Sequence, residues 1–130
     1  MINSKMERLS EIALLKNSGV KFNEKNIVFA TRDNKGMVVW LETGNKNSGL
    51  QHIIANHGTD FQNVYGVEKK NIPGFIKNLV SSGHVLNERV VMKNGKPGFE
   101  RIYEYDNKHF TVSGIGINGY IVSVYPIRRK

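Results

Sequence analysis

Four runs of β-type residues in the last third of the chain constrain its fold more than any other feature. The runs are HVLNERVVM, GFERIYEYD, KHFTVSGI and GYIVSVYPI, and short turn-forming segments rich in Gly, Asn, Asp, Lys and Pro separate them. This alternation of strand formers and turn formers is typical of an antiparallel meander. Such a sheet needs cover on one face, so the rest of the chain must supply it.

Helical and hairpin patterns precede the meander. Residues 4–16 carry an apolar side chain at every third position, which predicts an amphipathic helix, and the runs NIVFATRD and GMVVWLETG predict a β-hairpin. The segment GNKNSG predicts a loop, in which Ser48 is the N-cap of a short helix, LQHIIANH, that ends at Gly58. A further helix, GFIKNLVSSG, follows Pro73. The order predicts one α+β domain over residues 1–130, with helices packed on a mainly antiparallel sheet of about four strands.

Composition excludes several classes of protein. The chain has no cysteine, which rules out disulfides, thiolate metal sites and a cysteine nucleophile. No apolar run approaches the roughly 18 residues of a membrane-spanning helix, so we expect neither a membrane span nor a signal peptide. With 19 Lys and Arg against 11 Asp and Glu, the formal charge is +8. This excess favours nucleic acid or an acidic protein as the partner.

His52 and His57, in the segment GLQHIIANHG, are the first candidates for catalysis. Imidazole titrates near neutrality, so two of them can supply a general base and a general acid at one pH. On a continuous helix a spacing of five separates the side chains by about 140°, so they converge only if the helix ends between them. The alternative is that one of them is a capping or surface residue. The spacing does not match the helical zinc motif, and His84 and His109 are isolated, so we predict no metal site.

Strand alternation predicts a polar face on the meander. That face would carry hydroxyl and guanidinium groups, from Arg101, Tyr103, Thr111, Ser113, Ser123 and Tyr125. Ser123 and Tyr125 lie two positions apart, where both could donate hydrogen bonds to a phosphate oxygen, and Arg101 or Lys93 could neutralise its charge. The alternative is an ordinary strand with polar side chains toward solvent.

These motifs resemble a known group of ribonucleases. The segments LETGNKNSGLQHIIANHGTDF, NIPGFIKNLVSSG and NGYIVSVYP are similar to the barnase, EndoU, colicin and RelE-like superfamily, over about residues 26–127. More narrowly, they resemble nuclease domains of phage proteins and of bacterial polymorphic or contact-dependent growth inhibition toxins. The resemblance implies helices packed on a sheet of about four strands. It also implies a site with two histidines, a basic residue, a Ser or Thr, and a Tyr two positions later. The matching positions are His52, His57, Ser123 and Tyr125, and Arg101 is preferred to Lys93 and Arg89 as the basic residue because it is predicted on the hydroxyl face with Thr111. Arg101, Thr111, Ser123 and Tyr125 would stabilise the charge on the phosphorane oxygens.

The activity implied by the resemblance is RNA cleavage without a metal or cofactor. One histidine would take the proton of a 2′-OH, that oxygen would attack phosphorus, and the other histidine would protonate the leaving 5′ oxygen. The products would be a 2′,3′-cyclic phosphate and a 5′-OH, from transfer RNA or another structured RNA, while DNA would be spared.

The toxin resemblance also implies a place of action and a protein partner. The domain would be part of a larger secreted or cell-surface protein, would act in the target-cell cytoplasm, and would be neutralised by an acidic immunity protein. Two alternatives stay open. One is a noncatalytic basic module that binds nucleic acid, and the other is a structural phage protein that merely retains the fold.

Overall fold

The computed structural model describes residues 2–93, 95–116 and 119–127. The helices are α1 (Ile2–Ser18), α2 (Leu50–Tyr65) and α3 (Ile72–Ser82). The strands are β1 (Ile27–Arg32), β2 (Val38–Glu42), β3 (His84–Lys93), β4 (Lys96–Tyr105), β5 (Lys108–Gly116) and β6 (Ser123–Pro126). β1 and β2 form the predicted antiparallel hairpin, and β3 to β6 form a four-stranded antiparallel sheet in chain order. The predicted α+β fold with about four antiparallel strands is confirmed.

The main core lies against one face of the four-stranded sheet. Tyr103 pairs with Phe110 across β4 and β5, Val112 pairs with Val124 across β5 and β6, and all four side chains are buried. Phe61 of α2 stacks on Phe110 with ring centroids 6.4 Å apart, which packs α2 against this face. α3 and the hairpin cover the rest of it. Removing these large apolar side chains from water is the main driving force for this arrangement.

The apolar stripe predicted in α1 is buried only in its second half. Leu15 is fully buried, whereas Met6 and Leu9 are exposed. A polar contact helps to hold the helix, because Glu11 accepts a hydrogen bond of 2.6 Å from the backbone N–H of Ala30 in β1. The stripe extends past the part of the helix that the core covers.

α2 is longer than predicted, because Gly58 does not end it. The helix continues to Tyr65, and Gly58 does not have the left-handed backbone conformation that stops helices. The residue in that conformation is Gly66, with φ 69°, and its N–H donates to the carbonyl of Gln62 at 2.9 Å. The predicted stop at Gly58 is therefore wrong, and the residues that follow it are helical as far as Tyr65.

The last predicted strand is divided between the two sheets. Tyr120 bridges to Trp40 of β2, and the N–H of Ile121 donates to the Trp40 carbonyl at 3.0 Å. The hydroxyls of Tyr120 and Ser48 lie 3.0 Å apart, which ties this segment to the loop before α2. Only from Ser123 onward does the chain pair with β5. This run therefore joins the hairpin to the larger sheet.

Two of the predicted turns are only partly described. Positions 94, 117 and 118 lie outside the described residues. The turn between β4 and β5 is as predicted, with Asp106 and Asn107 in the left-handed region at φ 55° and 62°. Within the described ranges, no helix is long and apolar enough to cross a membrane.

Candidate active site

The two predicted catalytic histidines lie close together on α2. The ring centroids of His52 and His57 are 6.1 Å apart, in an edge-to-face arrangement. The expectation that they could meet only if the helix ended between them is wrong. The separation of about 140° refers to the bonds leaving the helix axis, and the rings extend well beyond those bonds. Contacts outside α2, with the preceding loop and with β6, bring the two rings together.

A backbone carbonyl lies within hydrogen-bond distance of one ring nitrogen of His52. Its Nδ1 lies 3.0 Å from the carbonyl oxygen of Lys46. A carbonyl only accepts, so this contact is a hydrogen bond in the tautomer that has its proton on Nδ1, which leaves the Nε2 lone pair open. The amide nitrogen of Asn56 is also 3.0 Å from Nδ1 and 3.0 Å from the His52 carbonyl. With Nδ1 protonated, Asn56 donates to the carbonyl.

The loop that carries this carbonyl is fixed by its own contacts. The side-chain oxygen of Asn45 accepts hydrogen bonds from the N–H groups of Asn47 and Ser48, at 2.8 and 3.2 Å. Gly44 and Gly49 have φ of 67° and 83°, and a Cβ on Gly44 would lie 2.0 Å from the Ser48 carbonyl oxygen. The N-cap predicted at Ser48 is wrong, because Gly49 holds that position. The loop closes on itself too tightly for a side chain at Gly44.

Replacing Gly44 with alanine is expected to destabilise the fold by about 2 kcal/mol or more, through a strained φ and a clash with backbone. Gly36→Ala is the matched control. Gly36 also has a positive φ, at 88°, but a Cβ there would meet no atom within 4 Å. It should cost only the strain of about 1–2 kcal/mol. Urea denaturation measures both, and equal losses would contradict the tight closure of the loop.

His57 is held between a carboxylate and an aromatic ring. Its Nδ1 lies 3.4 Å from a carboxylate oxygen of Asp60, a contact that is an ion pair when the imidazole is protonated. Its ring stacks on Tyr125 of β6 with centroids 4.9 Å apart and an angle of 27° between the planes. The side chain is 24% exposed. These contacts orient the ring and leave Nε2 unengaged by either neighbour.

The predicted hydroxyl side chains of β5 and β6 share one face of the sheet. Thr111 pairs with Tyr125 and Ser113 pairs with Ser123, on the side opposite the core face. Thr111 and Ser123 are buried, at 4% and 6% exposure, and the Ser123 hydroxyl has no hydrogen-bond partner among the described residues. Leaving a buried hydroxyl unpaired costs about 1–3 kcal/mol, and functional sites are where such a cost is commonly found.

Arg101 and Tyr103 lie on the other face, so their predicted place beside the hydroxyls is wrong. Arg101 pairs with Val112, and Tyr103 pairs with Phe110, both on the core face. Thr111 instead pairs with Ile102. Side chains alternate between the two faces within each strand, as predicted. Which side chains of β4 and β5 share a face is decided by the register between these strands.

Arg101 belongs to a buried ionic network. It donates to Asp33 at 2.9 Å, to the Tyr103 hydroxyl at 3.3 Å, and to Glu88. Only 5% of the Arg101 side chain and 1% of the Asp33 side chain are exposed. Burial lowers the pKa of Arg101, but the Tyr103 hydroxyl and the Glu88 carboxylate outweigh this effect, so its pKa is raised overall. The cation ties the β1–β2 turn to the larger sheet.

Of the other two basic candidates, Arg89 is not placed at the histidine pair. Arg89 lies on β3, pairs with Glu100 at 2.7 Å, and is 67% exposed. β3 and β6 are opposite edges of the four-stranded sheet, which separates Arg89 from Tyr125. The side chain of Lys93 lies outside the described part of the chain. The cation that the resemblance implies is therefore not supplied by Arg89.

Comparisons with protein-family models and with curated proteins give no match. No protein-family model matches the sequence, and no curated protein is significantly similar to it. In the part of the chain that the structure describes, no three His, Asp or Glu side chains form a group that could hold a metal ion.

Proposed function

We propose that this protein is an endoribonuclease that uses His52 and His57 for general acid–base catalysis and needs no metal ion. One observation carries the proposal. The two imidazoles lie 6.1 Å apart, and the Nδ1 atom of each contacts a protein acceptor. Both Nε2 atoms are then left to serve a substrate. In-line attack at phosphorus requires a base at the entering oxygen and an acid at the leaving oxygen, on opposite sides of the phosphorus atom.

The surroundings of each ring support different roles. His52 donates its Nδ1 proton to the Lys46 carbonyl, so its Nε2 lone pair is ready to accept the proton of a 2′-OH. The Nδ1 of His57 pairs with the Asp60 carboxylate when the imidazole is protonated, an arrangement that suits His57 to protonate the leaving 5′ oxygen. The products are a 2′,3′-cyclic phosphate and a 5′-OH. DNA lacks the nucleophile.

The hydroxyl face supplies a donor for the developing negative charge. Tyr125 is partly exposed and can donate to a phosphate oxygen, whereas Thr111 and Ser123, on the same face, are buried. Hydrogen bonds that strengthen as charge develops typically contribute a few kcal/mol to a transition state. Arg101 has no such role in this proposal, because its guanidinium is committed to carboxylates on the opposite face.

The charge of the chain supports a polyanionic substrate. Several carboxylates are already paired within the fold, among them Glu11 with Lys77, Asp33 with Arg101, and Glu100 with Arg89. The excess of +8 is then available to attract phosphates. The substrate we propose is transfer RNA or another structured RNA. The setting we propose is a domain of a larger delivered toxin, neutralised by an acidic immunity protein.

Incubation with total cellular RNA in EDTA tests this function directly. We expect discrete fragments that end in 2′,3′-cyclic phosphate and 5′-OH, and no cleavage of DNA of the same sequence. His84→Ala should cleave like the unaltered protein, because this histidine on β3 is exposed and, in the part of the chain that the structure describes, its ring hydrogen-bonds to Asn34 alone, at 3.5 Å. Cleavage that requires an added metal, or that also cuts DNA, would contradict the mechanism. Intact RNA that is bound with a steep salt dependence would favour the noncatalytic module.

A further inference from the structure

Gly58 lies inside α2 directly after His57, where glycine is unfavourable. In a helix interior, glycine costs about 1 kcal/mol relative to alanine. Its backbone conformation gives no reason for this choice, because its φ is not positive. A Cβ at this position would lie 3.2 Å from Cε and 3.5 Å from Cγ of Lys69. The missing side chain therefore leaves room for the Lys69 stem to cross the helix.

The ammonium group of Lys69 lies beyond the point where its aliphatic stem packs on Gly58. It begins the short 3₁₀ turn Lys69–Asn71 and is exposed, and its ammonium is one bond beyond the Cε atom that approaches Gly58. Among the described residues no ion pair involves Lys69, whereas its neighbour Lys70 pairs with Glu68 at 3.5 Å. Lysine often packs its aliphatic stem against protein while the charged end stays in water. Here the stem packs one residue away from a proposed catalytic histidine.

We propose that Lys69 binds a phosphate group of the RNA strand that flanks the cleaved phosphodiester. The bound strand would then pass from the imidazole pair across α2 at Gly58. The proposal rests on the proposed function for the identity of the substrate. Lysine binds phosphate as a mobile point charge, so this contact tightens binding without taking part in the bond changes at phosphorus. Its loss should raise KM and leave kcat nearly unchanged.

Binding of an uncleavable RNA separates this contact from catalysis. The probe is a fully 2′-O-methylated RNA oligonucleotide, which lacks the 2′-OH nucleophile, and fluorescence anisotropy follows its binding at several salt concentrations. Lys69→Ala should weaken binding about fivefold to tenfold at low salt. It should also lower the slope of log K against log salt concentration by about 0.7 to 1. Lys69→Arg should retain most of the affinity, and Lys70→Ala, whose ammonium is already paired, should change it less than twofold.

The Gly58→Ala variant tests whether the absence of a side chain at Gly58 positions the Lys69 stem. Alanine should leave the fold at least as stable against urea, since it favours the helix, yet displace the Lys69 stem and weaken binding about threefold or more. In the Lys69→Ala background the same change should have no further effect on binding, because two changes that remove one contact are not additive.

Several results would overturn the Lys69 proposal. One is normal binding by Lys69→Ala, another is equal effects of Lys69→Ala and Lys70→Ala, and a third is the absence of salt-dependent binding by the unaltered protein. Loss of stability alone in Gly58→Ala would assign the glycine to packing of the 3₁₀ turn. RNA cleavage with an unchanged KM in Lys69→Ala would reject this contact and keep the proposed function. Salt-dependent binding that depends on Lys69, without any cleavage, would keep the Lys69 contact and reject the proposed catalytic function.

Discussion

Replacing His57 with alanine is expected to reduce RNA cleavage at least about a hundredfold, as loss of a general acid or base typically does. The fold should survive, because the side chain lies at the edge of β6, stacked on Tyr125, and is not part of the buried core. Cleavage rates at saturating RNA measure the effect, and the far-ultraviolet circular dichroism spectrum checks the fold. Near-normal rates for His57→Ala would remove His57 from the mechanism.

The chemical nature of the leaving group separates the roles of the two histidines. A uridine 3′-phosphate ester of 4-nitrophenol has a leaving group that departs without a proton. With that substrate His57→Ala should recover most of the activity of the unaltered protein, whereas His52→Ala should stay slow because the 2′-OH still needs a base. Recovery by His52→Ala alone would exchange the two roles. Recovery by neither variant would mean that His57 does more than protonate the leaving group.

Local sequence patterns predicted the elements of the fold better than their relative placement. Two glycines of the α2 region show what the local sequence could not predict. By composition alone, either Gly58 or Gly66 could have ended α2. The tertiary neighbours differ, since Gly58 faces the Lys69 stem while Gly66 has open space around its Cα. The prediction that Gly58 ends the helix was wrong because the contact of Gly58 with Lys69, outside the helix, is not visible in the local sequence.

The candidate site shows the same division between local and tertiary information. Ser123 and Tyr125 were predicted on one face because alternation along a strand is local, whereas the pairing of Thr111 with Tyr125 depends on the register of β5 and β6. The approach of His52 and His57 depends on a carbonyl in the preceding loop and on a ring of β6, so helix geometry alone predicted that they diverge. No local sequence pattern predicts the stacking of an imidazole on a tyrosine 68 positions further along the chain.

Arg101 was misplaced because its environment is also set at a distance. A cation between two polar-looking strands suggests a phosphate-binding surface, yet the register of β4 and β5 turns it inward. There it meets Asp33, whose other carboxylate oxygen accepts hydrogen bonds of 2.9 and 2.8 Å from the N–H groups of Lys35 and Met37. The network therefore fixes the β1–β2 turn and connects it to the larger sheet.

Removing this cation is expected to cost about 3–5 kcal/mol of unfolding free energy, because Arg101→Ala leaves the buried Asp33 carboxylate without its counter-ion. Arg89→Ala is the matched control on the neighbouring strand. Arg89 also binds a carboxylate, that of Glu100, but its side chain is 67% exposed, so its loss should cost no more than about 1 kcal/mol. Urea denaturation at one pH and salt concentration measures both variants. Equal, small losses would contradict a structural role for the network.

A conservative change distinguishes a structural Arg101 from a catalytic one. Arg101→Lys keeps a positive charge but cannot reach Asp33, Glu88 and Tyr103 together, so it should lower stability by a smaller amount than alanine does. Measured well below its unfolding transition, this variant should keep a kcat within about threefold of the unaltered protein. A fall in kcat of a hundredfold with normal stability would return Arg101 to the active site. The opposite pattern, lost stability with intact turnover, follows from a guanidinium that is buried and paired with carboxylates on the core face, away from the face of Thr111, Ser123 and Tyr125.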